Sequence, residues 1–228
     1  MKSLLVFLGL LSVSLAAIIG VRQEKESAPP RCCVPKTMQI NVFGAEFYET
    51  SKPYLVPIIA TYGGKINEGL AALKIYDEKT RQLLRHDIMD FNKQVMYNIS
   101  ADGSCVKSAF KSPQPSGCIP DSAVFDASFT MGIGENSLVG NIWYYKDASR
   151  NLEETVSVTG SCIPILLQQN TNIDGGKTHK GVSYVHAEME IIDKDLFTIP
   201  DTCKASNEEK MLIPQGLPVP FFMLMPVE

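Results

Sequence analysis

Gln94-Val95-Met96-Tyr97-Asn98-Ile99-Ser100, followed at once by Ala101-Asp102-Gly103, sets the reading of this chain. Val95, Tyr97 and Ile99 fall on one side of an extended backbone; Gln94, Met96, Asn98 and Ser100 fall on the other. A period of two belongs to a β-strand, because successive side chains leave a pleated backbone on opposite faces. The Asp-Gly pair then supplies a turn.

The same pattern recurs outward from this segment. In residues 182–192, Val185, Ala187, Met189 and Ile191 are expected on one face, with Tyr184, His186, Glu188 and Glu190 on the other. Residues 141–146 are bulky on both faces through Ile142, Trp143, Tyr144 and Tyr145, which predicts a central strand or one covered on its second side. Residues 122–130 read as a short helix or a connecting strand. Turn signals separate these runs, among them Tyr62-Gly63-Gly64, Asp77-Glu78-Lys79-Thr80, Lys146-Asp147-Ala148-Ser149 and Asp174-Gly175-Gly176. Short strands with such punctuation predict an all-β fold, a meander, sandwich or partly closed barrel.

Residues 1–17 read as a secretory signal peptide: Lys2, an apolar run from Leu4 to Leu11, then small residues around Ser14, Ala16 and Ala17. Residues 18–31 read as a disordered lead-in ending in Pro29-Pro30-Arg31, residues 32–204 as the β domain, and residues 205–228 as a Pro-rich apolar tail. Pro214, Pro218, Pro220 and Pro226 prevent that tail from forming a helix. An exported chain meets an oxidising compartment, where six cysteines (Cys32, Cys33, Cys105, Cys118, Cys162 and Cys203) imply disulfides rather than a metal cluster. Cys32 and Cys33 are adjacent, so each is expected to reach a distant partner; spacing leaves the connectivity open.

The chain is 45% hydrophobic, enough for a sizeable core, and carries a net charge of −4, which argues against a nucleic-acid partner. Its three histidines, His86, His179 and His186, form no metalloprotease motif, and no Gly-x-Ser-x-Gly elbow or phosphate loop is present. His186 and Glu188 share a strand face, but a solvated polar face explains them; no catalytic residue is assigned. Asn98-Ile99-Ser100 is an N-glycosylation acceptor. Asn170, Asn172, Asp174 and Gly175 imitate the first half of a calcium loop, although Gly181 stands where the bidentate Glu belongs.

The cysteine contexts resemble the ependymin-related family, in its invertebrate branch. The segments are Pro30-Arg31-Cys32-Cys33-Val34-Pro35, Gly103-Ser104-Cys105-Val106-Lys107, Cys118-Ile119-Pro120-Asp121, Ser161-Cys162-Ile163-Pro164 and Phe197-Thr198-Ile199-Pro200-Asp201-Thr202-Cys203, in the family's order. The resemblance implies two stacked antiparallel β-sheets forming a half-open sandwich or barrel around an apolar cavity. It implies the pairs Cys32–Cys162 and Cys105–Cys203, which leaves Cys33 with Cys118. The vertebrate pattern places its third bridge at a C-terminal cysteine that this chain lacks.

The expected function is that of a secreted, non-enzymatic glycoprotein, with a lysosomal location as the alternative. Its partner would be a hydrophobic small molecule, an acyl chain or an anionic lipid, with calcium as a modulator, a homodimer as an oligomeric form and matrix components as further partners. The alternative is an extracellular matrix or biomineral-associated structural glycoprotein. A secreted hydrolase ranks last.

Overall fold

The computed structural model describes residues 27–110, 116–148, 151–173, 176–201 and 203–210. Within them the chain is all β, with two single 3₁₀ turns at Ile66–Glu68 and Gly134–Asn136. The strands are β1 (Thr37–Glu49), β2 (Tyr54–Lys65), β3 (Leu70–Tyr76), β4 (Leu83–Asp90), β5 (Val95–Ser100) and β6 (Cys105–Phe110). They continue with β7 (Val124–Met131), β8 (Leu138–Asp147), β9 (Leu152–Thr159), β10 (Pro164–Ile173), β11 (Gly176–Glu188) and β12 (Lys204–Lys210). Residues 122–130 are therefore strand rather than helix for most of their length. The pairing of β12 carries the sheet through residues 205–210, which the sequence assigned to the tail. The leader and residues 211–228 lie outside the described residues.

All strands join one sheet in the order β12-β6-β5-β4-β3-β2-β1-β11-β10-β9-β8-β7, antiparallel except for the β12–β6 pair. Laid flat, the sheet would separate β6 from β7 by about 48 Å at the usual strand spacing. Residues 111–123, which join those two strands, reach about 50 Å only when fully extended from Phe110 to Val124. They are not fully extended, because the Ala123 N–H returns to the Pro120 carbonyl. The sheet must therefore curl to bring its edges together.

A crease shows between β1 and β11. A Cβ on Gly44 would run into the Gly181 carbonyl oxygen and lie 2.6 Å from Val182 Cα, both atoms of the neighbouring strand's backbone. The two stacked sheets that the family resemblance implied are thus the two limbs of one folded, unclosed sheet. Their inner faces share one hydrophobic core, which joins Leu73, Met89 and Met96 of one limb to Trp143, Val156 and Leu167 of the other.

Two readings of strand faces change. Val185 and Met189 are exposed, 44% and 56%, while Ala187, expected on their face, packs against the inner core. The cause is a bulge: His186 has φ 54° and the register to β1 shifts there, so the alternation is reset before β11 ends at Glu188. β8 lies next to the sheet edge rather than at its centre; Trp143 is buried inside while Tyr144 stays 36% exposed outside.

A strap covers the outer face of one limb. Leu196, fully buried, sits on Gly63, where any Cβ would strike its side chain. It packs with Ala72, Ile88, Tyr97 and Ile99 in a second core, and the Cys105–Cys203 disulfide ties the strap's end to β6. Lys74 Nζ meets Asp193 Oδ2 at 2.6 Å, and the His86 ring nitrogen Nε2 lies 2.8 Å from the Leu196 carbonyl, to which it donates.

Burial lowers the His86 pKa below 6.5; Lys74 lowers it further, while the Leu196 carbonyl, Asp193 and Asp87 oppose the shift. The unfolded chain then binds the proton more readily, so this histidine's contribution to stability is present above pH 6.5 and lost as pH falls through the window beneath it. The melting temperature should drop between about pH 7 and about pH 5, and His86→Phe should flatten that slope. An unchanged slope in the variant would remove His86 as its source.

Candidate functional site: the inner face of the folded sheet

The inner face is built in rows that cross the strands. One row is apolar: Ile58, Gly44, Val182, Leu167, Val156 and Trp143 lie opposite one another across β2, β1, β11, β10, β9 and β8. The next row, two residues along each strand, carries charge. Glu46 lies opposite Lys180, Lys180 opposite Gln169, Gln169 opposite Glu154, and Glu154 opposite Tyr145. Because every member sits at a core-facing position, the register alone assembles a polar ladder at the border of the apolar core.

Lys180 Nζ stands 3.9 Å from Glu46 Oε1 and donates to Gln169 Oε1 at 3.3 Å; Gln169 Nε2 donates to Glu154 Oε2 at 2.6 Å. Lys180, Gln169 and Glu154 are all buried. Burial lowers the Lys180 pKa, and the Glu46 and Glu154 carboxylates oppose that shift. Tyr48 is pushed up to about 12 by burial and by Glu46, which accepts its hydroxyl hydrogen bond. Tyr184 is raised by burial, by Glu154 and by Tyr62.

Removing the cation strands two carboxylates in the core. Lys180→Met should destabilise the fold by about 3–5 kcal/mol at neutral pH, the scale of a broken buried ion pair. The loss should shrink in acid, where carboxylates take up protons. Chemical denaturation at the two pH values checks both statements.

Beside the ladder, two buried donors lack an acceptor: the Tyr62 hydroxyl and the Trp143 indole Nε1. They belong to side chains only 1% and 2% exposed. A cavity of about 10 Å³ opens between Trp143, Tyr145, Glu154 and Val156 on the sheet and Ile119 and Ala123 on the β6–β7 connection. Arg31 clamps that connection by donating to the carbonyls of Pro120, Asp121 and Ala123. Its guanidinium lies 5.7 Å above the Trp143 ring.

Disulfides join Cys32 to Cys162, Cys33 to Cys118, and Cys105 to Cys203. The first two fasten the chain just before β1 to the β9–β10 turn and to the β6–β7 connection. Asn98 faces inward on β5, half-buried, with its Nδ2 donating to Asp87 Oδ1 at 2.8 Å. Asp87 is fully buried and paired with Arg85. Asn170 and Asn172 point outward from β10 and are exposed; Asn170 Oδ1 is 2.8 Å from the His179 ring, and Asp174 lies outside the described residues. Among the described residues no cluster of three or more His, Cys, Asp or Glu is placed to hold a metal ion. His186 Nε2 and Glu188 Oε1 stand 3.4 Å apart at the exposed bulge.

Sequence reasoning missed the ladder. Its signal is present one strand at a time: Glu154 interrupts the inward set Leu152, Val156 and Val158, Gln169 follows Leu167, and Lys180 precedes Val182 and Tyr184. A charged residue at core parity marks each position, but which of them meet depends on register.

Among solved structures, the fold is similar to an uncharacterised conserved protein from Thermus thermophilus, at 9% identity and a TM-score of 0.47, covering 75% of this chain and 89% of that one. It is also similar to a LolA superfamily protein from Nitrosomonas europaea, at 11% identity and a TM-score of 0.35, covering 72% and 90%. Comparison with curated proteins finds no match. The family model described as Ependymin matches residues 78–203, from the β3–β4 turn to the cysteine that closes the strap. With more than half its length inside that match, and with the strands, turns and disulfide-bonded cysteines described above, the chain belongs to the ependymin family.

Proposed function

We propose that this chain is a secreted, non-enzymatic binding protein that takes a hydrophobic ligand between the two limbs of its sheet. The observation that carries this reading is the set of buried, acceptor-free donors on the inner face, Tyr62, Trp143 and Ser108. An unsatisfied buried donor costs about 1–3 kcal/mol. A core whose only task is to be filled gains nothing by keeping them. Met38, Met89 and Met96 belong to the same inner core, and unbranched, polarizable side chains repack around varied apolar shapes. No described histidine faces inward: His86 lies under the strap, His179 on the outer face and His186 at the bulge. A cavity of about 10 Å³ holds little more than one water-sized group, so a ligand enters only if the limbs part. Ile119 and Ala123, held by Arg31 and the Cys33–Cys118 disulfide, wall that cavity on the side opposite the sheet.

Export through the leader is part of the same reading; a glycan on Asn98 would require this inward side chain to leave Asp87 and turn to solvent. The matrix alternative would rest on calcium at Asn170, Asn172 and Asp174; the engagement of Asn170 by His179 favours the container. Native mass spectrometry of the secreted protein tests the choice. A co-purifying lipid-sized mass that delipidation removes and added lipid restores supports the container. Its absence, with calcium-dependent assembly instead, supports the matrix role.

A further inference from the structure

We propose that the inner site, if it acts as the container just described, selects an uncharged amphiphile bearing a hydroxyl head group, read by Trp143 and Glu154. Both residues line the same small cavity. Trp143 Nε1 is a donor without an acceptor. Glu154 brings a carboxylate, an acceptor, already oriented by the Gln169 amide at 2.6 Å. A cavity of about 10 Å³ is the size of one oxygen-centred group. That group must accept from the indole and donate to the carboxylate. A hydroxyl does both; an ammonium has no lone pair to offer, and a carboxylate has no proton to give.

Charge points the same way. The ladder holds two carboxylates, Glu46 and Glu154, against the single cation Lys180, all buried or nearly so. A ligand carboxylate or phosphate would meet the Glu154 carboxylate directly, where low polarity magnifies repulsion, although the Arg31 guanidinium, 5.7 Å from the Trp143 ring, offsets part of it. The site is therefore expected to favour a hydroxyl over an anionic head group. An ammonium would satisfy the charge but would leave the indole N–H buried and unpaired, at a cost close to that of the empty site. The acyl or alkyl chain attached to the hydroxyl would run along the apolar row that ends at Trp143.

Trp143 is the only tryptophan in the chain, so its emission reports this cavity alone. Full-length secreted protein is titrated with dodecanol, dodecanoic acid and dodecylamine below their micelle concentrations, with native mass spectrometry giving stoichiometry. Dodecanol should bind about tenfold tighter than either charged analogue, the scale of one buried hydrogen bond, and should shift the Trp143 emission. Glu154→Gln keeps an acceptor for the Gln169 amide and removes the charge; it should bring the acid to within about threefold of the alcohol. Trp143→Phe, followed by mass spectrometry, should abolish the alcohol's advantage over the amine. Acid or amine binding as tightly as the alcohol, or bound alcohol leaving the emission unchanged, overturns the hydroxyl assignment and leaves the container standing. If none of the three binds saturably, the container reading itself falls.

Discussion

Gly44→Ala should destabilise the fold by about 3 kcal/mol, more than an ordinary glycine replacement in a strand, where alanine is the better residue. The reason is the crease. The added methyl would meet the Gly181 carbonyl and approach Val182 Cα to 2.6 Å and Val182 Cγ1 to 2.7 Å. Two of these three obstacles are backbone, which cannot rotate aside as a side-chain tip does. Relief requires the β1–β11 pair to open, and opening it loosens the ladder contact between Glu46 and Lys180 on the next row. Gly44→Val should be worse still. Denaturant melts of the two variants decide the matter. Wild-type stability in Gly44→Ala would show that the limbs meet at a wider angle. As a control, Gly181→Ala should be mild, since no heavy atom lies within 4 Å of its added methyl.

Full reduction of the three disulfides should unfold the protein at ambient temperature. The bridges close sequence separations of 130, 85 and 98 residues. In the chain-entropy model each such loop contributes about 4–5 kcal/mol. The loops overlap, so the contributions do not simply add, but even two of them approach the total stability of a typical domain, about 5–15 kcal/mol. The structural reason is specific. Cys32 and Cys33 pin the start of β1 to both limbs' connections, and Cys203 pins the strap that buries Leu196. Loss of either leaves an apolar face open to water. Far-ultraviolet circular dichroism with and without reductant checks this result; native spectra and an unchanged melting temperature after complete reduction would show that the two cores suffice. The single mutant Cys203→Ser should be milder and local, exposing the strap while the inner core persists.

The strands were legible because their signals are short-range. β5 could be placed from seven consecutive residues, and the turn after it from Asp102-Gly103, where Gly103 takes φ 80°. The reading failed where one residue broke the period. At His186 a bulge resets the alternation, so faces assigned by counting onward from Tyr184 come out wrong for Ala187, which packs against the inner core. Residues 141–146 misled differently: two bulky faces suggested a central strand, while β8 lies near an edge that leaves Tyr144 and Val139 partly in water. The outer surface of β1 and β2 likewise keeps Phe47 and Leu55 exposed, 38% and 61%, on adjacent strands.

By itself, the amino-acid sequence determined that the chain is built of β-strands with identifiable turns, that its cysteines seek distant partners, and that no familiar catalytic constellation is present. Each of these follows from chemistry within a few neighbouring residues. Only the tertiary structure decided that Glu46, Lys180, Gln169 and Glu154 form one row, that the sheet folds at Gly44, and that buried donors on Tyr62, Ser108 and Trp143 face inward without acceptors. Those outcomes depend on register between strands more than a hundred residues apart and on how a long sheet must bend to let a short connection reach its far edge. Local pattern carries no information about either distance.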